Sequence, residues 1–403
     1  MMSLLSLLVL LSVVAQFPDT FLGSVSVGNN PVDVCVSPDG ERAYAAVEWG
    51  YASAVNIEDY DVFSFAGLVS IDGEPSAVQC DESGEKLYVA DSENSMVHVV
   101  NTETLSIESS FAVEASPYDM VLCTGINRIL LSHSGGMITA INTLTSSVEE
   151  VYWAGNSLHS MVVSPDGQYV YAPDNGSPYE SIVTGATGSV NRFSSGMDSR
   201  AAALSGDGEY LFLSCTAWDM ISAVNTNTLT TESSVSCENG APTEMAALPA
   251  LPYLYGVNTE MDILSVYSTD GLQLVGTVPV TGEPVNLAVH PDGERIFVVC
   301  TGDNKMKVYG YDPSGIAPDG TNSCMWPGCS PSPVPSVILG GITGRVILRG
   351  FDLSGRTLFE SRTEIQAGEP AEFFLPGMPS GVLLVTAEFS GERLCTRVVV
   401  LEP

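Results

Sequence analysis

Residues 282–312 read GEPVNLAVHPDGERIFVVCTGDNKMKVYGYD. Three runs rich in Val, Ile, Phe and Tyr are separated by a Pro-Asp-Gly turn and by a polar turn at residues 301–304. Apolar β-formers in the runs and Gly, Pro, Asn and Asp in the breaks predict three antiparallel strands joined by tight turns. Versions of this phrase recur along the chain, so it is read as a repeat first.

Each repeat is anchored on the residue that opens its first strand: Pro31, Pro75, Pro117, Leu158, Ser199, Pro242 and Pro284, spaced 41 to 44 residues apart. Nine residues after five of these anchors stands a turn glycine, Gly40, Gly84, Gly167, Gly208 or Gly293, and four of those turns are Asp-Gly. Glycine there accommodates the positive φ of a hairpin turn. Thirteen residues after the anchors come Tyr44, Tyr88, Leu130, Tyr171, Phe212, Tyr255 and Phe297, a column suited to one slot repeated between neighbouring sheets. A third and a fourth strand follow each pair. Four strands per ~42 residues is the period of a β-propeller blade, so the expected fold is all-β: a seven-bladed β-propeller, with a small β-sandwich after it. The seventh repeat runs into proline-rich sequence without a fourth strand, whereas residues 21–27 (FLGSVSV) are a spare strand ahead of the first anchor. Pairing that strand with residues 307–311 would close the ring.

The phrases PVDVCVSPDGERAYAA, PVNLAVHPDGERIFVV and LHSMVVSPDGQYVYAPD resemble the YVTN-type propeller repeat of lactonase-like and surface-layer proteins. The resemblance covers about residues 21–312 and implies the fold; that fold carries enzymes and binding modules alike. The third and fourth repeats depart most, with Gly125-Ile126-Asn127 in place of the Asp-Gly turn and Gly185 in place of the asparagine seen at Asn101 and Asn142.

The remaining boundaries follow from composition. Met1–Ala15 (MMSLLSLLVLLSVVA) suits a secretory signal cleaved after Ala15 and is too short to span a bilayer as a helix. The propeller then covers 16–312, and residues 313–335 (PSGIAPDGTNSCMWPGCSPSPVP) form a semi-stiff linker. Within 336–403, strands are expected at 346–352, 372–375, 382–389 and 396–401. The phrases VILRGFDLSGRTLFE, AGEPAEFFLPGMPSGV and RVVVLEP resemble the Ig-like C-terminal domain of flagellar hook-capping proteins and the sorting domain of type IX secretion cargo. That resemblance implies an Ig-like attachment domain, export machinery as a partner, and a place on the bacterial outer surface.

The chain carries 14 basic and 48 acidic residues, a net charge of −34. From Ser336 onward six arginines nearly balance eight acidic residues, so the charge sits before that point. Such a field excludes nucleic acid as a partner and favours cations or basic partners. Nine cysteines show no C-x-x-C spacing, which argues against zinc, thioredoxin or haem motifs. Cys324 and Cys329 are close enough in the linker for a local disulfide; most of the others suit small buried positions.

Three candidate sites emerge. Two residues after the anchors lie Asp33, Ala77, Asp119, Ser160, Ala201, Glu244 and Asn286, all on innermost strands. Asp33, Asp119, Ser160, Glu244 and Asn286 would gather at the channel as an oxygen-rich site for a hard cation such as Ca²⁺. A polar channel without metal, neutralised in part by Arg200, is the alternative. In the hydrolytic reading, Asp33, Asp119, Glu244 and His159 would supply acid and base. His98, His133 and His290 fall at other offsets, so no ring of histidine ligands is expected. The third site is the face bearing the turns between second and third strands: Trp49, Tyr51, Glu93, Trp153, Tyr179, Trp218, Asp219, Glu260, Asp262 and Asp303 suit recognition of a protein or glycan. The leading expectation is a binding or structural module rather than an enzyme.

Overall fold

The computed structural model describes residues 17–195, 198–249 and 251–311, together with six strands between residues 336 and 400. Gln16–Pro313 form one compact unit built from seven four-stranded antiparallel sheets. In six of them the strands are consecutive; the first blade, for example, runs Pro31–Val36, Arg42–Val47, Tyr51–Ile57 and Phe63–Ser70. The first strand of each blade is innermost.

The seventh blade takes its outer strand from the other end of the unit. Thr20–Ser26 pairs antiparallel with Lys305–Gly310, from Thr20 opposite Gly310 to Ser26 opposite Lys305. Both termini of the ring are thereby committed, and the edge of Lys305–Gly310 is covered. The fourth blade has the shortest inner strand, Val162–Val163, extended only by a bridge between Leu158 and Asp174.

Seven apolar clusters hold the ring together, one between each pair of neighbouring blades, and each contains one member of the column thirteen residues after the anchors. Tyr44, Tyr88, Leu130, Tyr171, Phe212, Tyr255 and Phe297 are all buried. Tyr88 also reaches the next blade with its hydroxyl, which donates to the carbonyl of Thr143 at 3.1 Å. The hairpin glycines have the positive φ expected, 75° at Gly40 and 71° at Gly293.

A second compact unit contains the strands beyond residue 336. Gly344–Phe351 pairs with Thr357–Ile365 and with Gly381–Phe389, and Gly381–Phe389 pairs in turn with Glu392–Val400. Ser336–Leu339 and Ala371–Phe374 form a separate antiparallel pair. Ser336–Leu339 and Thr357–Ile365 were not anticipated; the latter, TLFESRTEI, is too polar to announce itself as a strand. The leader, the proline-rich linker and the DLSGR turn lie outside the described residues, as do Cys324 and Cys329. The six cysteines described with their side chains, Cys35, Cys80, Cys123, Cys215, Cys237 and Cys300, are buried and unbridged. No helix among the described residues is long and apolar enough to cross a membrane.

Candidate functional site

The innermost strands carry irregularities at the same place in the repeat. The pairing register shifts between Pro31 and Asp33, between Pro75 and Ala77, and between Pro284 and Asn286. Such a bulge re-aims a side chain, and Asp33 and Asn286 line a central cavity of about 730 Å³, whereas Ala77 is buried between blades. Asp33, Asp119, Ser160, Glu244, Asn286 and His159 all border it, with Tyr118 and Arg200.

Much of that polar ring is occupied with holding blades to one another. Asp33 accepts the backbone N–H of Val78 in the second blade at 2.8 Å and the side-chain amide of Asn286 in the seventh at 2.9 Å. Asp119 accepts the N–H of Met161 in the fourth blade at 2.6 Å, and Ser160 donates to Glu244 at 3.2 Å. Ca²⁺ takes about six to eight oxygens. Both Asp33 carboxyl oxygens already serve amides, whereas Asp119 and Glu244 each use one oxygen in this way, and among the described residues no three His, Cys, Asp or Glu side chains are grouped as metal ligands.

Burial pushes the Asp33 and Glu244 carboxyls up to about 7, against the lowering effect of their backbone hydrogen bonds. Asp119 is raised well above the usual carboxylate range by burial and by the charges of Asp33 and Glu244. His159 is lowered by burial and by Arg200. Its Nε2 contacts the Ser157 hydroxyl at 3.0 Å, its Nδ1 is buried without a partner, and its ring meets Tyr118 edge-on at 4.6 Å. Asp33 and Glu244 are therefore carboxyls that exchange protons near neutral pH.

The turn face is built differently. Trp49 is 70% exposed, Trp218 60%, Trp153 52% and Tyr179 48%. Trp153 and Tyr179 are already engaged: the Arg192 guanidinium sits 5.3 Å from the Trp153 ring and 5.7 Å from the Tyr179 ring, and pairs with the buried Asp174 carboxylate. The Tyr51 hydroxyl accepts the N–H of Asn29 at 3.0 Å. Asp219 and Asp262 accept backbone N–H groups from Ala241 and Glu283, fastening the turns to the loops that lead into the next blade. Asp303 pairs with Lys307 at 2.7 Å.

Two further columns escaped the sequence reading. Sixteen residues after the anchors stand Asp91, His133, Asp174 and Asn258, and each grips the loop ahead of its own blade's inner strand. Asp91 accepts the N–H groups of Glu74, Glu93 and Asn94 at 3.0–3.1 Å, and Asp174 those of Asn156 and Ser157. His133 meets the Ala115 carbonyl at 3.2 Å, and Asn258 donates to that of Gly240 at 2.7 Å. Eleven residues after the anchors, Arg42, Lys86, Arg128 and Arg295 each donate to carbonyls of the following blade: Thr102, Thr143, Gly185 with Ala186, and Asp59 with Tyr60. The signal was a constant offset: residue types vary in the first column, and in the second the basic residues Arg42, Lys86, Arg128 and Arg295 share the offset with Tyr169, Tyr210 and Tyr253.

No family model matches the chain, and no curated protein matches it. Among solved structures it is similar to Kuenenia stuttgartiensis hydrazine synthase, at 18% identity over 71% of this chain and 97% of that one, with a TM-score of 0.63. It is also similar to a chain of the mitotic checkpoint complex (16% identity, 74% and 94% covered, TM-score 0.63) and to the RRP9 WD40 repeats (9% identity, 73% and 99% covered, TM-score 0.64). At these identities the likeness is one of fold. The chain contains a seven-bladed β-propeller.

Proposed function

We propose that this chain is a secreted or surface-attached propeller of the YVTN type that binds a partner through its turn face. One observation carries the reading: all three tryptophans of the propeller are exposed, on the same face. Tryptophan is among the most buried residues on average and is enriched where surfaces recognise partners. The residues offered are Trp49, Trp153, Tyr179 and Trp218, on a frame whose neighbours in solved structures include a chain of a multiprotein complex. In this reading the strands beyond residue 336 form the Ig-like domain that export machinery recognises, and Met1–Ala15 is the leader. Cell fractionation tests it: the full chain is expected on the outer surface, and a chain lacking 336–403 in the periplasm. The same location for both would remove the attachment role.

A second reading has its own support. Asp33, Asp119, Glu244 and His159 border one cavity, and two of the carboxyls are held near 7, the range useful for general acid–base work on a lactone or ester. Turnover abolished by Glu244→Gln would favour it. Absence of turnover across a lactone and ester panel would leave the binding reading alone.

A further inference from the structure

Arg192 shows in this protein how the turn face holds a guanidinium. Its plane lies against Trp153 and Tyr179, and its charge is met by Asp174. Stacking on an aromatic face together with a carboxylate suits arginine better than lysine, whose ammonium is a compact, strongly hydrated point charge.

Two other places on the same face carry an exposed tryptophan with exposed acidic residues nearby in the chain and no stacked arginine among the described residues. Trp49 follows the exposed Glu48, and its turn is fastened to the next loop by the N–H of Ile71, which donates to the Gly50 carbonyl at 2.7 Å and is followed by the exposed Asp72. Trp218 precedes the exposed Asp219, and its turn is fastened by the N–H of Cys237, which donates to the Asp219 carbonyl at 2.7 Å and is followed by the exposed Glu238. Each exposed tryptophan therefore has one acidic residue beside it in the chain and a second on the loop that the repeat fastens to its turn. Few local cations compete for them. Of the eight Lys and Arg residues before Ser336, Arg42, Lys86, Arg128 and Arg295 clasp neighbouring blades, Arg192 is stacked, Lys307 pairs with Asp303, Arg200 borders the cavity, and Lys305 opens the third strand of the seventh blade.

We propose that Trp49 and Trp218 are seats for arginine side chains of a protein partner, reproducing between molecules what Arg192 does within one. The proposal rests on the turn face being the binding face and names the chemistry that face selects. The seats lie on the first and fifth blades, on either side of the cavity mouth, so a partner filling both is an extended basic segment. A neutral glycan would stack on the tryptophans but bring no cation to the exposed acidic residues around them.

The test is selection of a randomised displayed peptide library on the full chain and on Trp49→Ala/Trp218→Ala, beside a neutral glycan array. Both proteins should melt alike, since the two side chains are exposed. Enrichment of arginine-bearing peptides by the wild type alone is the expected result. Synthetic peptides from that pool should weaken about tenfold for each tryptophan removed, and several-fold when arginine is replaced by lysine. Equal binding of the lysine peptides overturns the seats in favour of plain charge attraction. Enrichment of peptides without basic residues, or of glycans, lost in the double variant, overturns the arginine assignment and leaves the binding face standing. Enrichment untouched by the double variant, or none above an unrelated propeller, overturns both.

Discussion

At the scale of single residues, the same carboxyl chemistry is used in opposite ways. Burial alone would raise the Asp91 carboxyl, but hydrogen bonds from Asn94, Glu74 and His98 outweigh it and hold the group below the usual range. Its contribution is present above the unfolded-state value and fades as pH falls through the folded one. Asp91→Ala removes the acceptor of several part-buried N–H groups and should cost about 1–3 kcal/mol in a urea melt at pH 7. A change under about 0.5 kcal/mol would show that Asp91 is not gripping its loop. Glu244 behaves in reverse. With the folded carboxyl near 7 and the unfolded one near 4.5, stability is fully present below 4.5 and declines until pH passes 7. The melting temperature should therefore fall between pH 5 and 7.5 and level off above. Glu244→Gln, which keeps an acceptor for Met245 and Ser160, should flatten part of that slope; an unchanged slope would contradict the shift. The channel residues were legible from a single repeat offset because Asp, Glu, Asn and Ser all read as oxygen donors. Their use as inter-blade clasps was not, because an acceptor for a backbone N–H leaves no mark on the partner residue's identity.

At the scale of elements, the column headed by Tyr44 was the most informative feature of the sequence. A large side chain at one offset must fill one repeated gap, and each of the seven interfaces contains its member. The closing strand was legible for a different reason: a blade with three strands and a strand with no blade imply each other. Removing residues 20–26 would expose the edge of Lys305–Gly310 and uncover Met306 and Val308, which pack with Val25. The expected outcome is a lower melting temperature for the whole ring and concentration-dependent aggregation. An unchanged melt and a monodisperse monomer would mean that the ring does not depend on this closure. Thr357–Ile365 was missed because periodicity cannot reveal a strand whose apolar residues are few; only its pairing with Gly344–Phe351 does.

For the whole molecule, charge and aromatic placement together assign the faces. The repeat directs its few cations inward or onto neighbouring blades, and the surface is left acidic. Against that background the exposed tryptophans mark one side of the ring, and the cavity with its buried carboxyls marks the centre. The two features compete for the role of working site, and they can be separated by substitution. The most direct measurement compares binding of the displayed peptide pool by the full chain, by Trp49→Ala/Trp218→Ala and by Glu244→Gln/His159→Gln. A turn-face module predicts that binding is lost in the tryptophan pair and kept in the cavity pair. Binding lost in the cavity pair and kept in the tryptophan pair would contradict it and move the site to the channel.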